Sequence, residues 1–159
     1  MFSKSANNKI RSIKIKNPKV IKIAIVISEW HEEITERLYN GAFSKLLEFG
    51  ILEKNIKKTY VPGSFELIFA AKELIKKDYH AIITIGCIIK GETKHFKFIS
   101  SAVVNGVKDL NILSDKPIIL CITTDNNIEQ SIDRSGGKNG NKGEDSALAA
   151  LKMISINTN

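Results

Sequence analysis

Lys90, Glu92, Thr93 and His95 follow in close succession on the apolar run Ala81 to Ile89. Gly91 among them permits a tight turn, and Glu92 and Thr93 fall where a helix should start. Backbone amides at a helix start point outward and bind anions. His95 lies one turn from that position, and a neutral imidazole moves protons near pH 7. The combination reads as a phosphate and proton-transfer site, although a lone histidine is more often structural. Gly86 to Phe98 is thus the candidate chemical centre of an enzyme acting on a small phosphorylated substrate.

Three other segments carry groups with chemical potential. Trp30 and His31 sit just past an apolar run, where an indole offers a flat face to a heteroaromatic ring or packs on its own helix. The turn Pro62-Gly63-Ser64-Phe65-Glu66 presents backbone amides and a carboxylate suited to hydroxyls or a urea-like edge. Equally, Glu66 offsets a helix dipole there. Arg134, Lys138 and Lys142 flank the glycine-rich link Gly136 to Gly143. The Gly-x-x-x-x-Gly-Lys-Ser/Thr pattern is missing and no strand precedes the link, so it is no P-loop. It is either a flexible connector with solvated charges or a grip for phosphate, Arg by paired hydrogen bonds and Lys as a point charge.

The elements that must position these groups alternate regularly. Val20 to Ser28 reads as a buried parallel strand, and Glu32 to Phe49 as an amphipathic helix stopped by Gly50. A second strand over Lys57 to Val61 leads into a helix from Ser64 or Phe65 through Leu74. Ala81 to Ile89 is the third strand and Lys94 to Leu113 the helix after it. Ile118 to Thr123 forms the fourth strand, followed by helices over Ile128 to Arg134 and Asp145 to Ile154. Four strands alternating with helices imply an α/β fold with a parallel sheet covered on both faces. Ligands in such folds bind beyond the carboxyl ends of the strands. Those ends are Ser28 to His31, Val61 to Glu66, Gly86 to His95 and Thr123 to Asn127.

The 159 residues, 43% hydrophobic and 26% charged, suit one domain over residues 18–159 behind a flexible polar and basic arm over residues 1–17. The N-terminus lacks the apolar core of a secretory signal, no run is long enough to span a membrane, and a cytoplasmic location is expected. Cys87 and Cys121 lie inside apolar strands and read as buried thiols, and no Cys/His spacing suggests a metal. The net charge of +7 lies largely in the arm and in lysine pairs such as Lys57-Lys58. Without interleaved aromatics it does not indicate nucleic acid, and a field attracting an anionic metabolite fits equally well.

Four blocks in register resemble the lumazine synthase family, which makes 6,7-dimethyl-8-ribityllumazine in riboflavin synthesis. They are SEWHEEIT, VPGSFEL, GCIIKGETKHFKF and TDNNIEQSIDRSGGKNGNKGEDSALAAL, spread over about Lys22 to Met153. The resemblance implies a three-layer sandwich with a central four-stranded parallel sheet, flavodoxin-like. It also implies condensation of 5-amino-6-(D-ribitylamino)uracil with 3,4-dihydroxy-2-butanone 4-phosphate, with no metal or organic cofactor. By the same resemblance Trp30 stacks on the pyrimidine, Ser64, Phe65 and Glu66 hold the uracil and ribityl groups, and Cys87, Ile88 and Ile89 add backbone contacts. Glu92 and Thr93 bind the butanone phosphate and His95 donates a proton. Arg134, with Lys142 nearby, binds phosphate from a neighbouring subunit, and Leu120 reaches across to the pyrimidine. The family's sites lie between adjacent subunits of a pentamer, and some members pack twelve pentamers into a hollow capsid. The implied partners are therefore small-molecule substrates and further copies of the chain, with neither nucleic acid nor membrane.

The chain departs from the commonest family pattern at four positions. Trp30 replaces a frequent Phe, His31 a frequent Asn and Leu120 a common Phe, while Lys97 stands where an acidic residue is frequent. Two other readings compete: the homologous pentameric riboflavin synthase of archaea, and a non-catalytic flavin-binding module. A receiver domain would need acidic residues at the ends of strands one and three, which Ser28-Glu29 and Gly86-Cys87 do not supply.

Overall fold

Ile23, Ile25 and Ile27 point to one side of a strand and Ala24 and Val26 to the other, and all five are fully buried. Strand β1 (Ile23–Ser28) therefore occupies the middle of a sheet covered on both faces. It pairs in parallel with β2 (Ile56–Val61) on one side and β3 (Ala81–Ile89) on the other. β3 pairs in turn with β4 (Ile118–Asp125), giving the order β2-β1-β3-β4. The computed structural model describes residues 13–157. The expected arm lies outside the described residues at 1–12, whereas Ile13 and Ile15 pack half-buried against the core.

Side-chain alternation along the strands decides which helix goes where. Helices α1 (Glu32–Glu48) and α5 (Lys142–Asn157) cover the face bearing Ile23, Ile25, Ile83 and Ile85, through Leu38, Ala42, Leu46, Ala147 and Leu151. Helices α2 (Glu66–Ile75) and α3 (His95–Leu113) cover the Ala24, Val26 and Ile82 face through Leu67, Ala71, Leu74 and Val107. Each fully buried Ile or Leu side chain contributes roughly 1.5–3 kcal/mol of apolar burial. The result is the expected three-layer α/β sandwich.

Three element boundaries depart from the sequence reading in ways that matter here. β1 begins at Ile23 because Pro18–Val20 forms a 3-10 turn, with Pro18 fixing its own φ. β4 continues to Asp125, a residue type rare in strands, because Asp125 pairs with Ile89 and its carbonyl accepts the Lys90 N–H at 2.9 Å. Finally, α5 starts at Lys142, inside the glycine-rich link.

That link is not a flexible connector. Ser135–Gly137 (β5) and Gly140–Asn141 (β6) form a short antiparallel pair after α4 (Ile128–Arg134). The Asn141 amide donates to the carbonyls of Arg37 (3.0 Å) and Ser135 (3.3 Å), and its oxygen accepts the Gly143 N–H at 2.8 Å. A Cβ on Gly143 would lie 1.8 Å from the Leu38 carbonyl oxygen. Only glycine lets α5 start this close to α1.

Candidate active site

The chain crosses over β1 between β2 and β3, so connections leave β1 and β3 toward opposite sides. A crevice opens at their carboxyl ends. It holds a pocket of about 420 Å³ lined by Trp30 and His31 after β1, Pro62 to Glu66 after β2, Cys87 to Ile89 in β3, and His95 and Ile99 on α3. Eight expected site residues thus share one wall: Trp30, Ser64, Phe65, Glu66, Cys87, Ile88, Ile89 and His95.

Backbone geometry explains several of these placements. His31 adopts a left-handed φ of 59° as the residue before α1, and its carbonyl accepts the N–H groups of Ile34 and Thr35. Asn, Asp and His tolerate that conformation better than most residues, which suits His31 to this position. Trp30, beside it, is 70% exposed, so its indole is not packed on its own helix and faces the pocket. A Cβ on Gly86 would lie 2.6 Å from Ser64 Oγ. Glycine there lets Ser64 sink against β3, where it is buried at the mouth of α2.

Glu66 stands in the first turn of α2 and His95 in the first turn of α3, and neither helix has a side-chain cap on its N-cap residue. Both helices therefore begin at the pocket, where the positive ends of their dipoles favour an anion. Glu92 and Thr93 lie in the exposed turn between Ile89 and His95 rather than in the pocket wall. Thr93 Oγ1 accepts the His95 N–H at 3.2 Å, which fixes where α3 begins. Gly91 is a correction: its φ is not left-handed, and a Cβ there would meet nothing within 4 Å. The turn does not require glycine; its absent side chain leaves the approach to Glu92 and Thr93 open. Lys97 is two residues beyond His95 on α3, a spacing at which side chains do not face each other.

Leu120, Arg134 and Lys142 lie elsewhere. They line a second pocket, of about 350 Å³, formed by the outer side of edge strand β4 with α4 and α5. Leu120 is 41% exposed there. Each cation has a carboxylate: Arg134 Nη1 is 3.5 Å from Asp125 Oδ1, and Lys142 Nζ is 2.6 Å from Asp145 Oδ2. Asp125 and Asp145 were not among the expected residues, and neither was Ile99. The helical spacing from His95 to Ile99 could have revealed Ile99. Nothing local reveals the aspartates, because their role depends on which layer packs beside β4.

Both cysteines are buried and free. Burial pushes the Cys87 thiol up, partly offset by its hydrogen bond to Ser131, and burial pushes Cys121 up to about 12. Both stay protonated at neutral pH, so neither is poised as a nucleophile. Among the described residues no group of His, Cys, Asp and Glu could hold a metal ion, and no helix is long and apolar enough to cross a membrane. The first pocket offers an aromatic face, a carboxylate, an imidazole and two helix starts. Such a set has the chemistry to take a polar heteroaromatic beside an anion and to exchange a proton.

A family model described as 6,7-dimethyl-8-ribityllumazine synthase matches residues 20–158. The chain is 52% identical over 143 residues to the 6,7-dimethyl-8-ribityllumazine synthase of Flavobacterium johnsoniae, covering 89% of this chain and 75% of that protein. It is 55% identical over 140 residues to that of Flavobacterium psychrophilum, covering 87% and 74%. To that of Christiangramia forsetii it is 51% identical over 144 residues, covering 89% and 86%.

Proposed function

The chain belongs to the 6,7-dimethyl-8-ribityllumazine synthase family, and we infer that it condenses 5-amino-6-(D-ribitylamino)uracil with 3,4-dihydroxy-2-butanone 4-phosphate. It is a transferase of riboflavin synthesis. The relatives give no support to the riboflavin synthase or flavin-carrier readings. In the reaction the pyrimidine's primary amine adds to the ketone, and loss of one water leaves an imine. Phosphate then departs with its C–O electron pair as a proton leaves the adjacent carbon. The resulting enol becomes a ketone, the ribitylamino nitrogen closes the ring on it, and a second water is lost.

We assign the residues as follows. Trp30 stacks on the pyrimidine, Ser64, Phe65 and Glu66 hold its uracil edge and ribityl hydroxyls, and the β3 backbone at Cys87, Ile88 and Ile89 lines the base. Glu92 and Thr93 present the α3 start to the phosphate, and His95 carries protons between imine, leaving phosphate and solvent. Most of the acceleration comes from holding two substrates in contact, with proton transfer adding to it.

The division into two pockets is the observation that carries the rest. The pocket holding His95 contains neither Arg134, Lys142 nor Leu120, which line another surface of the same chain. A site using all of them takes its phosphate cations from a second copy. We therefore propose a homopentamer, active in the cytoplasm, with residues 18–159 as its single domain.

The purified protein should form lumazine from the two substrates; no product would sink the assignment. His95→Ala and Arg134→Ala chains should each be weak alone and regain activity when unfolded and reassembled together, since some interfaces then pair an intact His95 with an intact Arg134. No recovery in mixed assemblies would show that the site belongs to one chain.

A further inference from the structure

Asp125 ends β4 with only 3% of its surface exposed, and both oxygens of its carboxylate are engaged. Oδ2 accepts the Ser131 hydroxyl at 2.7 Å, and Oδ1 faces Arg134 Nη1 at 3.5 Å. Ser131 is itself fully buried and accepts from the Cys87 thiol at 3.5 Å. A chain of contacts therefore links a wall of the first pocket to the guanidinium in the second: the Cys87 thiol donates to the Ser131 hydroxyl, Ser131 donates to the Asp125 carboxylate, and Arg134 faces that carboxylate from the other side. The Asp125 backbone is fixed as well, since its carbonyl accepts the N–H of Lys90 at the exit of β3.

Stability does not account for this carboxylate, because burying a charge costs much of what its pairing returns. Its geometry suggests another use. Among the described residues, both contacts of the guanidinium use Nη1, toward Asp125 and toward the Gln130 carbonyl at 3.4 Å. Nε and Nη2 are left to make the two parallel hydrogen bonds that a phosphate accepts. An unrestrained arginine would lose side-chain freedom on binding; one already held loses less.

We propose that Asp125, held by Ser131, is a positioning residue that aims Arg134 at the phosphate of the second substrate. This rests on the reading of Arg134 as a phosphate ligand. It makes a prediction whose sign is opposite to that of simple electrostatics. Asp125 puts a negative charge beside the phosphate cation, so removing that charge would tighten phosphate binding if attraction alone mattered. If aim matters more, removing it weakens binding.

The test uses the assembled full-length protein with Asp125→Asn, Ser131→Ala, Arg134→Ala and the Asp125→Asn/Arg134→Ala double variant. Each substrate is varied in turn, and inorganic phosphate serves as the competing probe. Asp125→Asn should raise both the KM for the butanone phosphate and the Ki of phosphate about tenfold, the scale of a hydrogen bond to a charged group. The KM for the pyrimidine should be unchanged. Ser131→Ala should act in the same direction by about threefold, and it decides the matter if Asp125→Asn fails to assemble. The double variant should be no worse than Arg134→Ala alone. Tighter or unchanged phosphate binding, equal losses for both substrates, or additive losses in the double variant would each overturn the proposal. If Arg134→Ala leaves phosphate binding intact, the underlying reading of Arg134 fails instead, and the positioning role falls with it.

Discussion

In the pocket between β1, β3 and α3, Glu66 and His95 have no side-chain ion pair among the described residues, whereas on the outer side of β4 Arg134 and Lys142 each face a carboxylate. The first pocket keeps its ionisable groups open to whatever binds. The second fixes its cations before anything binds and nearly cancels their charge. Proton transfer needs a group free to change partners, and an imidazole locked in an ion pair would serve poorly. Phosphate recognition gains from donors already in place, because little freedom is then lost on binding. On the proposed assignment, the division of labour between reacting and holding groups follows which charges are paired.

Breaking the first pocket should have the largest effect. His95→Ala should lower kcat by roughly 10²–10⁴, the range of general acid–base catalysis, with assembly intact on native mass measurement. Turnover equal to wild type would remove His95 from the mechanism. Arg134→Ala strikes the second pocket and should raise the KM of the butanone phosphate roughly 10- to 100-fold, with less change in kcat. A change confined to the pyrimidine would mean the two subsites are reversed. Trp30→Leu keeps an apolar contact but loses the flat face, so the KM of the pyrimidine should rise about 3- to 10-fold. A shift in the phosphate substrate instead would move Trp30 to the other subsite.

The smallest effect concerns the cysteine behind the second pocket. With Cys121 raised from 9.0 to about 12 by burial, the unfolded chain releases this proton before the folded one does. Its contribution to stability is full below pH 9 and is lost as pH rises toward 12. Cys121→Ala should flatten the alkaline fall in stability by about one proton per chain. Denaturant unfolding at several alkaline pH values would show this; an identical slope would place the Cys121 thiol in contact with solvent.

Much of the first pocket was legible because its residues follow directly on the strands they belong to. Once Ala81 to Ile89 is a strand and the next segment a helix, Glu92 and Thr93 must lie in the turn between them and His95 at the helix start. The pocket's depth at Ser64 was less legible, since it depends on Gly86 of another strand leaving room for the Ser64 hydroxyl. Of the two options for the glycine-rich link, only the flexible connector fails, although glycine content suggests freedom. Asn141 removes that freedom through Arg37, a partner far away in sequence.

By itself the sequence determined the four strands of the main sheet, the helices, their alternation and the residues at the strand ends. Apolar periodicity and turn chemistry act over a few neighbours and need no knowledge of the rest of the chain. The resemblance already implied that Leu120, Arg134 and Lys142 serve a neighbouring site; only the tertiary structure decided that Asp125 lies buried beside Ser131 and Arg134. Whether a carboxylate at the end of a strand meets water or an arginine depends on which helix packs over it. That follows from the layering of the whole sheet, not from the residues on either side of the carboxylate.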